Sequence, residues 1–469
     1  MAQPKWMSDQ LARMANFANN PITIAGIAVT TVSAIMIVIL AIAQMGGAID
    51  NPYVASFAFL VMPGIFIAGL LIIPVGMLRR RRALIRAGAT DEEMTAFPKL
   101  DFNDPVLRRA GTLVLGLTAL NGVILGSAGY FGVHYMDSPT FCGEVCHTVM
   151  LPEYTAYQGS PHSRVHCVQC HIGPGASWFV KSKVDGIRQL WAVAFNTYDR
   201  PIPSPVHDLR PARETCEHCH WPDKFTGDVV RTFPEFGDDE ANTDGSTTLQ
   251  LRVGGGGWRF GGPHGIHWHT SQNHRVEYIA SDEKREVIPW VRLVDANGRS
   301  VEFVADGADP AALKARGDVR TMDCVDCHNR PSHRFAPTPE RAVDLALQSG
   351  MLPRNLPFAR REAVAALKGT YPSRQAADQS LKARLEEFYG KNYPDLVKAG
   401  DGRIAQAVAA VQRIHGLNVF PEMNLAWGTH PNHLGHTFSA GCFRCHDGEH
   451  KAGDGRVIGQ DCETCHKMQ

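Results

Sequence analysis

The chain has 469 residues, of which 44% are apolar and 20% charged, and its 47 basic residues balance its 47 acidic ones. So large an apolar fraction excludes a disordered tail. The balanced charge excludes a module that holds nucleic acid through a basic surplus, so we expect no nucleic-acid partner. The 12 cysteines fall into six close pairs, each followed directly by a histidine, and none is left over for a disulfide.

Three long uncharged runs precede the first cysteine pair, at residues 22–43, 54–78 and 110–131. Each reaches the roughly 20 residues that a membrane-spanning helix needs. Pro63 and Pro74 in the second run predict a kink rather than a break, because neighbouring helices can satisfy the backbone groups that a proline frees. The sequence therefore predicts a membrane domain over residues 1–131, with three transmembrane helices in a lipid bilayer.

Basic residues predict the orientation of these spans. The connection after the second run begins with Arg79, Arg80, Arg81 and Arg82, whereas the connection at 44–53 contains no basic residue. The positive-inside rule then predicts a cytoplasmic amino terminus and export of everything beyond residue 131. We therefore expect a protein of the bacterial cytoplasmic membrane whose larger part lies in the oxidising periplasm. A cleaved signal peptide that ends near residues 41–43 is the alternative.

Five of the cysteine pairs have the form Cys-x-x-Cys-His, the signature of covalent c-type haem attachment. Two thiols bond the two vinyl groups of one porphyrin, and the following histidine binds the iron as the proximal ligand. The five sets are Cys167/Cys170/His171, Cys216/Cys219/His220, Cys324/Cys327/His328, Cys442/Cys445/His446 and Cys462/Cys465/His466. Structural zinc is the alternative, but a zinc site does not require a histidine directly after the second cysteine.

The sixth pair has one additional residue between its cysteines. Cys142 and Cys146 are separated by three residues, and His147 follows. A slightly longer loop can still bring both thiols to one porphyrin edge, so we expect six haem c groups in all. A free or metal-binding cysteine pair is the alternative for this motif.

A haem that only transfers electrons usually has two protein ligands. Of the 21 histidines, six are proximal, which leaves 15. The candidates for the second ligand lie in short proline- or glycine-bearing loops near the motifs: His162, His207, His267, His333, His436 and His450. Their local competitors are His264, His269 and His433. For the first haem the candidate is Met150, three residues after His147, although a methionine that fills a gap in the core is equally consistent with the spacing.

The fold class expected for the whole chain is mainly α, with a haem-packed exported region after the membrane domain. Residues 132–227 form a three-haem domain, with a helix at 176–195. Residues 228–338 form a β-rich insertion with the fourth haem and strands at 247–253, 276–280, 287–294 and 300–304. Residues 339–425 form a helical spacer, and residues 426–469 form a C-terminal two-haem segment.

Several of these motifs resemble the NapC/NirT family of membrane-anchored multihaem quinol dehydrogenases. The similarity lies in Cys142-Gly-Glu-Val-Cys-His-Thr-Val-Met150, Ser160-Pro-His162 and Arg210-Pro-Ala-Arg-Glu-Thr-Cys216. The longer arrangement, with the insertion, Asn329-Arg-Pro-Ser-His333 and a final pair of motifs, is similar to the extended inner-membrane multihaem cytochromes of metal-respiring bacteria. The small family members have one anchor and not three, and their first motif lacks the additional residue.

The resemblance implies that quinol or menaquinol from the membrane pool binds where the anchor meets the first haem. Its electrons would pass to periplasmic cytochromes or a respiratory complex, and its protons to nearby acceptors. The candidate acceptors by position are Asp137, Glu144, Glu153, Lys181, Lys183 and Asp185. Lys181 and Asp185 are four residues apart on the expected helix, so a solvated ion pair is the simpler interpretation of those two.

The implied function is quinol oxidation coupled to electron transfer for anaerobic respiration, which makes the chain a candidate enzyme, a quinol dehydrogenase. Two alternatives stay open. One is an electron-transfer subunit of a larger respiratory complex without its own quinol site. The other is a terminal reductase in which one haem keeps an open iron position.

Overall fold

The structure is a computed structural model that describes residues 13–45, 62–90, 93–94, 105–145, 147–173, 175–205, 210–221, 225, 227–255, 264–315 and 318–468. The chain divides into two compact units, an N-terminal unit (Met1–Met136) and a C-terminal unit (Asp137–Gln469). The finer division into five segments remains a prediction.

The described part of the N-terminal unit contains the long helices α1 (Pro21–Met45), α2 (Met62–Arg86) and α3 (Pro105–Met136). Helix α1 packs closely on α2, because Gly69 and Gly76 let the two backbones approach. A Cβ atom at Gly69 would lie 2.5 Å from the Oγ1 of Thr30. Apolar side chains on the other faces, such as Ile24 and Leu71, are exposed, as lipid contact requires.

Two of the described helices are long and apolar enough to cross a membrane, over Pro21–Leu40 and Met62–Arg86. The first agrees with the predicted span at 22–43. The second contains the helical proline Pro74, as expected, and continues through the four arginines past the predicted end at 78. Residues 54–61 of that prediction lie outside the described residues. Helix α3 includes the third predicted run, and its role as a third span stays a prediction.

The motif-bearing part of the C-terminal unit contains short helices and one long one. The helices are α4 (His147–Gln158), α5 (Cys167–His171), α6 (Ala176–Ala194), α7 (Ala212–Cys216), α8 (Pro310–Ala315) and α9 (Cys324–Cys327). Helix α6 confirms the helix predicted at 176–195. Its side chains Ile187, Leu190 and Trp191 are largely exposed.

The β insertion forms two antiparallel sheets. The strands are β1 (Val229–Phe233), β2 (Thr247–Leu251), β3 (Arg275–Ile279), β4 (Trp290–Val294), β5 (Ser300–Val304), β6 (Arg320–Thr321), β7 (Lys451–Ala452) and β8 (His466–Met468). One sheet has the order β1-β2-β8 and the other β6-β3-β4-β5-β7. A turn at Asn297-Gly298 joins β4 to β5, and Gly298 takes a φ of 79°, which favours glycine.

The five-stranded sheet has a buried centre that fixes its register. Tyr278 pairs with Val291, and Val291 pairs with Phe303, so these residues lie on one face. Ile279 and Trp290 pair on the opposite face and are fully buried. Strands β7 and β8 come from the C-terminal two-haem segment, so that segment completes both sheets of the insertion instead of standing apart.

Five helices lie in the region predicted as a helical spacer: α10 (Pro339–Gln348), α11 (Ala359–Leu367), α12 (Arg374–Asn392), α13 (Pro394–Ala399) and α14 (Arg403–Asn418). Thr338 and Ser373 cap α10 and α12 by accepting hydrogen bonds from backbone N–H groups. Leu347, Leu381 and Val411 are fully buried in a shared apolar core. Burial of one such side chain stabilises the fold by about 1.5–3 kcal/mol.

Candidate haem-binding sites

Four of the five regular motifs close as a single helical turn, whereas the last contains a 3-10 turn, Cys462–Thr464, and its His466 begins β8. The N–H of His220 donates to the carbonyl of Cys216 at 2.8 Å, and the N–H of His328 donates to that of Cys324 at 2.8 Å. Residues i, i+3 and i+4 lie on one side of such a turn. The two thiols and the imidazole of Cys-x-x-Cys-His therefore face the same way, which is what attachment to one porphyrin requires.

The irregular first motif contains a different turn. Residues Phe141–Val145 form one π-helical turn, which is wider than an α-helical turn. A wider turn accommodates the additional residue between the cysteines. Cys146 and the side chain of His147 lie outside the described residues, whereas the backbone of His147 begins α4.

Five proximal histidines each face a second histidine from another part of the chain. The separations of the ring centroids fall between 5.8 and 6.3 Å: His171–His333 at 6.2 Å, His220–His162 at 5.9 Å, His328–His267 at 6.3 Å, His446–His269 at 5.8 Å and His466–His436 at 6.1 Å. The centroid separations of the five pairs differ by no more than 0.5 Å, which indicates a common arrangement.

The spacing fits an iron between the rings. A first-row metal binds imidazole nitrogen at about 2.0–2.1 Å, and the centroid lies about 1.1 Å beyond it, so two axial imidazoles have centroids about 6.3 Å apart. Haem iron takes two protein ligands in this way because the porphyrin supplies the other four. A structural zinc takes four protein ligands. Among the described residues, no group of three or more ligating side chains could hold a metal ion.

Hydrogen bonds with backbone carbonyls orient several of these imidazole rings. The Nδ1 atoms of His267, His269 and His333 lie 3.1, 2.9 and 2.9 Å from the carbonyls of Val253, Ile266 and Glu153. The Nδ1 of His446 lies 2.7 Å from the carbonyl of Gly459. An imidazole whose Nδ1–H donates to a carbonyl keeps Nε2 for a metal, as is usual for metal-binding histidines.

One 3-10 turn, Ile266–Thr270, contributes to two sites. His267 faces the fourth motif and His269 faces the fifth. Sequence reasoning treated His269 only as a competitor, because pairing with His446 depends on contacts far apart in the sequence. The His-x-His spacing is the signal that could have identified it. Burial lowers the pKa of His269 and of His267, which favours the neutral, metal-binding form.

Among the described residues, the predicted second ligand His450 lies in none of these pairs. Both ring nitrogens of His450 have other partners, the carboxylate of Asp447 at 2.9 Å and the carbonyl of Ile288 at 2.7 Å. Both ring nitrogens of this buried histidine are therefore engaged by groups other than a second histidine. His207 lies outside the described residues. Met150 lies half-buried on α4.

The thiols show which motifs are neighbours. A hydrogen bond from Cys142 lowers the pKa of Cys167 to about 7. A hydrogen bond between Cys216 and Cys324 raises the pKa of the first thiol and lowers that of the second. The first motif therefore contacts the second, and the third contacts the fourth.

Electrostatic contacts continue this series. Burial raises the pKa of Cys170, and the neighbouring Cys219 adds to the shift. Burial also raises the pKa of Cys445 to about 12, with a smaller contribution from Cys327. The pKa of Cys465 is raised by burial and then by Cys442. Each motif thus has a thiol within electrostatic range of a thiol of the next motif in sequence, from the first to the sixth.

Asp326 connects the fourth and fifth motifs through its backbone. Asp326, between Cys324 and Cys327, accepts hydrogen bonds from Tyr278 at 2.6 Å and Arg320 at 2.8 Å. Its side chain is fully buried. Arg444 of the fifth motif donates to the backbone carbonyl of Asp326 at 2.7 Å. The two motif loops are therefore held against each other by direct hydrogen bonds.

The predicted proton acceptors have different surroundings. One carboxylate oxygen of Asp137 is buried without a hydrogen-bond partner, and Glu144 accepts from the hydroxyl of Tyr154 at 3.1 Å. Glu153 pairs with Arg330 at 2.7 Å. The remaining three lie on α6: the ammonium of Lys181 lies over the ring of Trp178, Asp185 is half-buried, and the side chain of Lys183 lies outside the described residues.

Paired histidines, cysteine turns and apolar helices together define a membrane-anchored c-type cytochrome of electron transport. A model of the N-terminal region of the NapC/NirT cytochrome c family matches residues 106–202. The chain is also 41% identical to the cytochrome c-type protein ImcH of Geobacter sulfurreducens over 462 residues, which is 98% of this chain and 89% of that protein. No solved structure matches. The chain therefore belongs to the NapC/NirT cytochrome c family, as its motifs predicted.

Proposed function

We propose that this chain is a hexahaem cytochrome that oxidises quinol at the outer face of the cytoplasmic membrane and delivers the electrons to periplasmic acceptors. The five pairs of facing histidines are the observation that carries the proposal. Two imidazoles at each iron leave no open position for a substrate, so these sites suit electron transfer and not bond-breaking chemistry. Ligation by two histidines therefore disfavours a terminal reductase at those five sites.

The proposed ligand set follows from the pairs. His171, His220, His328, His446 and His466 bind as proximal ligands, and His333, His162, His267, His269 and His436 bind opposite them. His269 thus replaces His450 in the set. We retain His147 and Met150 for the first haem. Each attached haem supplies a one-electron iron couple, and the neighbouring thiols support a single file from the first site to the sixth.

We further propose that the amino terminus is cytoplasmic and that the C-terminal unit is exported. The arginines that end α2 support this orientation. Oxidation of one quinol releases two electrons and two protons, so the site needs acceptors for both. Asp137 and Glu144 lie next to the first motif in sequence and suit the protons, with Lys181, Lys183 and Asp185 as further candidates.

The test is reduction of the purified full-length protein by a menaquinol analogue, followed by the visible haem bands. We expect rapid reduction that a quinone-site inhibitor abolishes. Reduction that requires an added partner protein would favour the respiratory-subunit alternative instead. Binding of a small anion to a high-spin haem with turnover would favour the reductase.

The matched variants are His171→Ala and His218→Ala. The first removes a proposed iron ligand, so we expect one low-spin haem signal to disappear and quinol-driven electron transfer to fall sharply. His218 is an exposed histidine between Cys216 and Cys219 and faces no second histidine among the described residues, so its loss should leave both readouts unchanged. Full electron transfer in the His171 variant would contradict the ligand set.

A further inference from the structure

One salt bridge links the helix after the first motif to the loop after the fourth. Glu153 lies on α4, and one terminal nitrogen of Arg330 lies 2.8 and 2.7 Å from its two carboxylate oxygens. The two side chains are only 16% and 11% exposed. Such an ion pair is screened far less than a surface pair.

The same two residues hold His333. Its Nδ1 lies 2.9 Å from the backbone carbonyl of Glu153 and 3.3 Å from the carboxylate. The Nε of Arg330 donates to the carbonyl of His333 at 2.7 Å, and a terminal nitrogen donates to Ser204 at 3.1 Å. The imidazole is therefore held by Glu153, 180 positions away in the chain, and Arg330 holds the backbone of the loop that carries it.

On its other side, the ring of His333 faces His171 of the second motif at 6.2 Å. The role inferred below for Glu153 rests on the proposed function, in which these two histidines are the axial ligands of the second haem. The Glu153 carboxylate then lies against the far nitrogen of an iron ligand. Charge and hydrogen bonding at that nitrogen adjust the basicity of the ligand and hence the reduction potential of the metal.

We propose that Glu153 is a positioning residue that orients His333 and lowers the reduction potential of the second haem, and that Arg330 offsets part of its charge. A negative charge beside the ligand stabilises the oxidised iron relative to the reduced iron. The carboxylate is already paired with a guanidinium, which makes it a poor acceptor for a quinol proton. Glu153 therefore acts on the haem chain and is not one of the proton acceptors of the quinol site.

The test compares Glu153→Gln with Arg330→Gln in full-length detergent-solubilised protein. Removal of the negative charge should raise the potential of one haem, because the buried Arg330 loses its counter-charge. Removal of the positive charge should lower the potential of the same haem. We expect each shift to approach a tenfold change in the reduction equilibrium, about 59 mV for one electron. Potentiometric titration followed by low-spin ferric EPR gives both values.

Two further variants separate charge from structure. Arg330→Lys keeps the charge and should restore most of the potential lost in Arg330→Gln. Glu386→Gln removes an exposed carboxylate from α12 and should leave every potential unchanged. If the reduction potential shifts with the same sign in Glu153→Gln and Arg330→Gln and the low-spin signal is lost, the pair has only a structural role. That result would overturn the proposal.

A third variant distinguishes this proposal from the one on which it rests. His333→Ala should convert one low-spin haem to high spin, which also identifies the signal of the second haem. If His333→Ala changes no haem signal, the ligand pairing itself is wrong. If that signal changes but the Glu153 and Arg330 variants leave all potentials unaltered, the pairing stands and the role of Glu153 is refuted.

Discussion

Residues 339–418 and residues 147–220 belong to one compact unit but are built differently. The first region buries a continuous apolar core between five helices, two of which are capped by Thr338 and Ser373. In the second, the described helices are mostly short and close around cysteine and histidine side chains. The buried apolar residues described there are Val149, Ala156, Tyr157 and Ala212.

The difference indicates where the stability of each region comes from. Apolar burial is sufficient to fold a helical bundle of this kind. The motif region is instead tied together by distant polar groups, such as Arg330 on Glu153 and His162 facing His220. Binding of a covalent cofactor adds its free energy to folding where no large core exists. We therefore expect the two regions to respond differently to the same perturbations.

The largest difference should follow loss of one haem. The double variant Cys167→Ala/Cys170→Ala cannot attach the second haem, so residues 147–220 should lose protection from amide exchange throughout. Residues 359–418 should keep theirs, because their core contains no motif residue. Hydrogen exchange with mass spectrometry on the full chain measures both regions at once. Equal loss in both regions would refute the distinction.

The second-largest effect should be the loss of stability that follows removal of a buried charge near the fourth and fifth motifs. Asp326→Asn leaves Arg320 and Arg285 without the carboxylate that both contact. Removal of one partner from a buried ion pair costs about 3–5 kcal/mol, and the partial exposure of the arginines places the expected loss near the lower end. Chemical denaturation followed by haem absorbance measures it. Asp395→Asn, in an exposed pair on α13, is the control and should change stability by less than about 1 kcal/mol.

Truncation of a core leucine should affect only the helical region. Leu381 is fully buried, so Leu381→Ala should cost about 2–5 kcal/mol. Its haem spectrum should be that of the parent protein. Val397→Ala, at a half-exposed position, should cost far less. Local hydrogen exchange of α12 and α14 gives the comparison, and a changed low-spin spectrum in Leu381→Ala would contradict it.

The smallest expected effect is on the pH dependence of the helical region. His415 is 1% exposed, and burial lowers its pKa below the ordinary 6.5. The unfolded state therefore binds this proton more readily than the folded state. The resulting stability is present above pH 6.5 and decreases as pH falls below it. His415→Gln should flatten this part of the pH–stability profile, measured by amide exchange of α14. An unchanged slope would show that His415 does not cause the pH dependence.

How much could be predicted from sequence also differs between the regions. Helix periodicity and caps were sufficient for the bundle at 339–418, and apolar length was sufficient for α1 and α2. The cysteine motifs identified the haem sites because attachment is local in sequence. The facing histidines are not local: His333 meets His171 from 162 positions away, and His269 meets His446 across the insertion. The spacing of His333 does not distinguish it from His450, whose ring bonds to Asp447 and Ile288.

The same limit applies to Glu153. Its position beside the first motif predicted a proton acceptor, but its actual partner, Arg330, lies 177 positions further along the chain. Only the folded chain brings the two together. The cysteine motifs could therefore be identified from the sequence, whereas the pairs of histidines and of charged residues that the fold brings together could not.

The most direct test of the account is the intact mass of the full-length protein, measured under denaturing conditions. Six covalently attached porphyrins would give a mass that exceeds the polypeptide by six haem groups. We predict that excess, including a haem on the irregular Cys142/Cys146 motif. A mass equal to the bare polypeptide, or an excess of fewer than six haems, would contradict the six-haem chain.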